Sequence, residues 1–144
     1  MTERVCAIIG ASHAGVSLAL QLRKEGWDGQ IRLISAETEL PYHRPPLSKD
    51  YLAGNKTLDS IRLRPGKLYQ DNNIELLLGT EVAQIDRQAK RLFMSRSSES
   101  DSGDLEIGRY DKLVLCTGAT VRKLAMAQPF ANVFYIRQAS DVSP

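Results

Sequence analysis

Residues 4–15 constrain this chain more than any other stretch. Residues 4–9, RVCAII, make a short and largely apolar run, and Gly10 ends it. Such a run reads as a strand buried on both faces, the kind found in parallel sheets. Residues 13–25 read as a helix. Val16, Leu18, Ala19, Leu20 and Leu22 give it an apolar face, and Gly26 stands where a helix-ending glycine belongs. QIRLIS (30–35) reads as a second strand. Strand, helix and strand within about 32 residues make a parallel crossover unit.

The turn between strand and helix, Gly10-Ala11-Ser12-His13-Ala14-Gly15, matches the dinucleotide pattern GxGxxG except that Ser12 holds the middle glycine position. The physical logic survives the change. Gly10 permits a sharp turn, Ser12 and Ala14 are small enough for the backbone to approach phosphates, and Gly15 lets the helix pack closely on the sheet. A pyrophosphate would rest on the N–H groups that open the helix, where the dipole favours negative charge. His13 then serves as a helix-start residue whose backbone faces the phosphate. A plain strand-to-helix turn without a ligand is the competing reading.

An acid about 20 residues beyond the turn is expected to bind ribose hydroxyls. Glu37 follows Gly15 by 22 residues, with Glu39 close behind. An acid here disfavours a 2′-phosphate. In LPYHRPPLSKDYL (40–52), adjacent prolines stiffen the chain and Arg44 and Lys49 place two cations on a short segment. That suits a phosphate or an electron-rich ring, though a solvated surface linker would look similar. The run LVLCTG (113–118) ends a strand in Thr117-Gly118, at the sheet edge where α/β proteins bind ligands.

The rest of the chain completes an α/β pattern. LSKDYL (47–52) is expected to form at most a short helix, with Pro45 and Pro46 preceding it. A short helix is expected over 66–72 and a strand over 73–79. EVAQID (81–86) and RLFMS (91–95) alternate as a hairpin does. Residues 96–104 form a polar loop, YDKLVLCTG (110–118) a further buried strand, and NVFYIR (132–137) a last strand. The fold expected is a Rossmann-like parallel sheet with a βαβ start and an inserted antiparallel hairpin or meander.

Composition narrows the function. The chain has 144 residues, one domain's worth, 42% of them hydrophobic and 25% charged. Nineteen basic and 17 acidic residues leave a net charge of +2, and no basic run points to nucleic acid. No apolar stretch reaches the roughly 18 residues of a membrane helix, and the N-terminal apolar run is too short for a signal peptide. A cytoplasmic location follows as the default. The two cysteines, Cys6 and Cys116, each lie in an apolar run and read as small buried hydrophobes. Their pairing across a sheet stays open. The two histidines, His13 and His43, do not make a metal site by themselves, and no Ser-His-Asp set is visible.

Four segments together resemble a known family: GASHAGVSLALQLRKEGWDGQIRLI, ELPYHRPPLSKDYLAG, LVLCTGA and FYIRQASDV. They are similar to the N-terminal part of the ferredoxin and rubredoxin reductases, FAD-dependent members of the pyridine nucleotide-disulfide oxidoreductase superfamily. The PYxRPPLSK segment is much more specific than the glycine turn. The resemblance implies FAD as cofactor, NAD(P)H as electron donor, and a ferredoxin or rubredoxin as acceptor. Carried over by position, Gly10, Ser12, Ala14 and Gly15 would hold the pyrophosphate, with Glu37 near the adenosine ribose. Arg44, Pro45 and Lys49 would lie along the pyrophosphate and flavin. Val82 would contact the adenine side through its backbone, and Thr117, Gly118 and Arg122 would close over the cofactor.

Two departures from the family pattern stand out. Ala36 stands where family members often have an acid, and the loop 96–104 is longer and more polar than the family leads one to expect. The absence of a CxxxxC after the glycine helix agrees with a family that lacks the redox disulfide of its glutathione-reductase cousins. The resemblance also implies an NAD-binding domain and a C-terminal interface domain, which these 144 residues do not contain. The expectation is therefore one FAD-binding segment over 1–144 without its own nicotinamide site. Two rivals are a nucleotide-binding module without catalysis of its own and a subunit completed by a separate chain.

Overall fold

The computed structural model describes residues 4–96, 106–127 and 130–142. Its centre is a parallel sheet of four strands: β1 (Val5–Ile9), β2 (Gln30–Ile34), β3 (Ile74–Leu77) and β7 (Lys112–Leu115), in the order β3-β2-β1-β7. The helix α1 (His13–Lys24) links β1 to β2, and the short α2 (Gly66–Asp71) precedes β3. A second, antiparallel sheet of three strands, β4 (Thr80–Asp86), β5 (Arg91–Arg96) and β6 (Glu106–Arg109), is inserted between β3 and β7. The predicted unit of parallel sheet plus antiparallel insertion is thus present.

Alternation along β1 and β2 explains the three layers. Cys6, Ile8, Ile31 and Leu33 point to the helical side, where they pack with Val16 and Ala19 of α1 and with Tyr69 of α2. Ala7 and Ile34 point the other way, against Leu92, Met94 and Tyr110 beneath the antiparallel sheet. Both faces of the parallel sheet are covered, so its strands read as continuous apolar runs. Ile8, Ile31 and Leu33 are fully buried, each stabilising the fold by about 1.5–3 kcal/mol.

Two backbone contacts set how closely α1 approaches the sheet. Gly10 adopts φ +105, and a Cβ there would fall 2.1 Å from the Cys116 carbonyl oxygen. A Cβ on Gly15 would fall 1.9 Å from the Gly10 carbonyl oxygen and 3.1 Å from Leu33. The start of β1 is held as tightly. The Val5 N–H donates to the Asp111 carboxylate at 2.8 Å, and the Asp111 N–H donates to the Val5 carbonyl at 2.8 Å. The two cysteines are free. Cys6 pairs with Lys112 near the start of β7, whereas Cys116 follows its end, so the thiols lie at opposite ends of the strand pair.

Two expectations need correction. Residues 132–137 do not form a strand. They run as a turn and then irregular chain, with Phe134 80% exposed, because no strand lies beside them to complete a ladder among the described residues. The helical turn of the proline segment is a 3₁₀ turn over Pro45–Ser48, starting at the prolines instead of after them. Proline's fixed φ suits the first positions of a helical turn, where its missing N–H costs nothing. Of the two forms expected for the antiparallel insertion, hairpin or meander, the structure shows the three-stranded meander, with β6 added to the hairpin of β4 and β5. Of the polar loop expected at 96–104, all but Arg96 lies outside the described residues.

Gly15→Val forces α1 away from the Gly10 carbonyl. It is expected to cost about 3 kcal/mol or more, read as a lowered urea midpoint. A midpoint equal to that of the parent chain would show that α1 does not sit this close.

Candidate functional site

The turn after β1 places the first N–H groups of α1 at the carboxyl edge of the parallel sheet. Ser12 is the N-cap residue, in extended conformation, and its hydroxyl makes no capping hydrogen bond. No acidic residue occupies the first turn. The donors that a helix start leaves unpaired therefore face outward with the favourable end of the dipole. Opposite them, the chain leaving β7 turns at Thr117-Gly118. Between the two lies a cleft of about 390 Å³, bounded by Ser12, His13 and Ala14, by Cys116, Thr117 and Gly118, and by Arg44 and Arg137.

Arg44 is held in place by a network that joins three parts of the chain. Its Nη2 donates to Glu37 Oε1 at 2.5 Å, and its Nη1 donates to the Arg137 carbonyl at 2.7 Å. The guanidinium lies over the Tyr42 ring, 5.4 Å from the centroid. The Tyr42 hydroxyl donates to Glu37 Oε2 and accepts the Ala139 N–H at 2.8 Å. Tyr42 is buried with Leu47, Ile61 and Ala139. Burial, and then the Glu37 carboxylate, push its phenol far above the ordinary value, so it is neutral and serves as a fixed hinge of the network. Arg44 Nε is buried and has no protein partner among the described residues.

Arg137 is positioned from its C-terminal side. Asp141 accepts the N–H groups of Arg137 and Gln138 at 2.7 and 2.8 Å, completing a capping box over the turn Ala139–Asp141. Its Nη2 lies 2.8 Å from where a Gly118 side chain would begin, which puts the guanidinium across the mouth of the cleft.

The structure therefore brings Ser12, His13, Ala14, Arg44, Thr117 and Gly118 together at one cleft, with Gly10 and Gly15 packed behind its wall against the carbonyls of Cys116 and Gly10. Glu37 stands behind that wall, with both oxygens engaged by Arg44 and Tyr42. Pro45 is exposed at the start of the 3₁₀ turn, and Lys49 is exposed just past its end. Val82 lies on β4 opposite Met94, half-buried against the core under the antiparallel sheet. Arg122 is exposed beyond the Gly118 turn. None of these four lines the cleft. Sequence reasoning missed Arg137 and Tyr42. The only signal for Arg137 was the acid four positions on, Asp141, and the expected strand over 132–137 concealed it.

His13 and His43 touch, Nε2 to Nδ1 at 3.0 Å. Partial burial, the neighbouring His43 and then Arg44 hold His13 below the ordinary imidazole value. No group of three or more metal-ligating side chains occurs among the described residues. No helix among them is long and apolar enough to cross a membrane.

The glycine turn has no room for a side chain, and an open helix start and two arginines border one cleft. The family model for pyridine nucleotide-disulphide oxidoreductases matches residues 4–143. The chain belongs to that family. Over 138 residues it is 42% identical to a putidaredoxin reductase from Pseudomonas putida, covering 93% of this chain and 31% of that protein. It is 37% identical over 135 residues to a rubredoxin-NAD(+) reductase from the same species, covering 93% and 33%. The crystal structure of a ferredoxin reductase from Rhodopseudomonas palustris superposes with a TM-score of 0.81 at 38% identity, over 96% of this chain and 32% of the other. The chain thus spans about a third of the length of the relatives it matches.

Two outcomes follow for the network. Tyr42→Phe leaves the Ala139 N–H and one Glu37 oxygen unpaired, and is expected to cost about 1–3 kcal/mol in urea denaturation. An unchanged midpoint would show that the network contributes no stability. Hydrogen bonds from Gln138 and Arg137 hold the Asp141 carboxyl below its ordinary value. Its contribution is complete above about pH 4 and is lost as pH falls through the depressed folded-state value. Amide exchange at Arg137 and Gln138, corrected for the intrinsic rate, should therefore quicken at acid pH, and constant protection down to the acid limit would contradict the capping.

Proposed function

We propose that this segment holds the ADP half of FAD in an NAD(P)H-dependent reductase that passes electrons to a ferredoxin or rubredoxin. The observation that carries the reading is the approach of Gly10 and Gly15 to neighbouring carbonyls beside two cleft arginines. Those contacts bring the start of α1 to the cleft wall, where Ser12 and Ala14 are small enough for a diphosphate to approach the backbone. The N–H groups at the start of α1 would donate to the phosphate oxygens. Arg44 and Arg137 would balance the charge, with Glu37 keeping Arg44 in orientation.

A carboxylate accepts about four hydrogen bonds, so Glu37 can still receive a ribose hydroxyl while it binds Arg44 and Tyr42. In this reading Pro45 and Lys49 extend the site toward the flavin, Val82 offers its backbone to the adenine side, and Arg122 closes over the cofactor. The bound flavin supplies the exchange between a two-electron hydride donor and a one-electron acceptor. The names of the relatives, a putidaredoxin reductase and a rubredoxin-NAD(+) reductase, support this partner class. A cytoplasmic setting belongs to the same reading.

The purified chain should be yellow or take up added FAD. Ligand at about a hundredfold excess over Kd stabilises by about 2.7 kcal/mol, read as a thermal shift larger than that given by AMP or NAD. Arg137→Gln is expected to weaken FAD about tenfold through loss of a charge-assisted contact. A colourless protein with no shift on FAD, AMP or NAD would sink the reading for this segment.

A further inference from the structure

A second cavity opens on the other side of His13. It measures about 380 Å³, and its polar wall comes from His13, Ser17, Gln21 and Lys24 of α1 together with His43 and Arg64. Val16, Leu20 and Leu63 line its apolar part. It shares only His13 with the dinucleotide cleft, and no described residue that lines it is acidic. His13 and Lys24 stand about 16 Å apart along the helix axis, so the cavity is a groove running along α1.

The charges around this groove are one-sided. His13 and His43 form one contact through a single shared hydrogen, since a neutral imidazole nitrogen must accept it. Arg44 stands behind them, its charge met by Glu37. Arg64 is turned on its own backbone, donating to the Leu63 carbonyl at 2.9 Å. Arg137 faces the adjoining cleft. The nearest acid on α1, Glu25, lies past the helix end and accepts from Gln21 at 2.6 Å. Lys24 and Arg64 thus have no acid beside them on the cavity wall.

We propose that this groove is a binding site of its own for a phosphate monoester carried on an apolar body. The phosphate would sit against the histidine pair and the arginine, and the body along Leu20 and Leu63. A dianion there would favour the His13 imidazolium, which burial and then His43 and Arg44 oppose. The site does not depend on the FAD reading, because the groove and the cleft are walled by different residues apart from His13.

The test uses phenyl phosphate and inorganic phosphate as probes on the whole chain, followed by histidine ring resonances in NMR. The chain has only two histidines, so both signals are simple to assign. Phenyl phosphate should shift both rings, move the His13 titration upward and bind about tenfold tighter than inorganic phosphate, from burial of the ring. Arg64→Gln should weaken it about fivefold or more, and Lys24→Gln, on an exposed helical position, gives an independent second variant. Neither should alter FAD affinity. Equal affinity for the two probes, or undiminished binding in both variants, would overturn the proposal. So would loss of the phenyl phosphate signal on saturation with FAD, which would assign the effect to the cleft. Failure of FAD to bind would sink the cofactor reading and leave these measurements intact.

Discussion

The fold depends on how closely a bare backbone can approach its neighbours at Gly10 and Gly15. Both positions lie under carbonyl oxygens that a single methyl group would strike. This contact brings α1 down onto β1 and β2, so that Val16 and Ala19 reach Ile8, Ile31 and Leu33. It also directs the helix start toward the turn after β7. The same spacing that closes the core therefore opens the cleft, and the two share one geometric origin.

A second layer of organisation is electrostatic. An arginine at the wall of a cleft keeps a defined position only if its long side chain is held. Here Glu37, the face of Tyr42 and the Arg137 carbonyl fix Arg44 from three directions. The partners come from the end of β2, the proline segment and the last described turn. Buried polar groups joined in this way are costly to break one at a time, since each loss leaves another unpaired. The network also turns the segment around Arg137 into a wall of the site without a strand to support it.

Much of this was legible in the residues. Apolar runs ended by glycine marked β1 and β7, three-to-four spacing marked α1, and alternation marked β4 and β5. These signals are local and strong. The cleft lining from Ser12 to Ala14 and at Thr117-Gly118 followed from the same signals. What was not legible depended on distant partners. NVFYIR carries the β-branched and aromatic residues of a strand, but a strand exists only where another edge can pair with it. Tyr42 and Arg137 gained their positions from contacts across 97 and 93 residues of sequence, which no spacing rule anticipates. Glu37 had the expected distance from Gly15, yet its carboxylate is directed by a tyrosine and an arginine that only the fold brings to it.

The clamp between Val5 and Asp111 has a consequence for the order in which the chain assembles. Its partners are 106 residues apart. On a growing chain, β1, α1, β2 and α2 can collapse together soon after synthesis, since their contacts are short-range. The other edge of β1 must stay open until Asp111 and β7 have been made. Closing so long a loop is the slow kind of step, and the whole antiparallel insertion must be accommodated within it. Within this segment β1 is thus made before its neighbours but is sealed on its second side only after the insertion is complete.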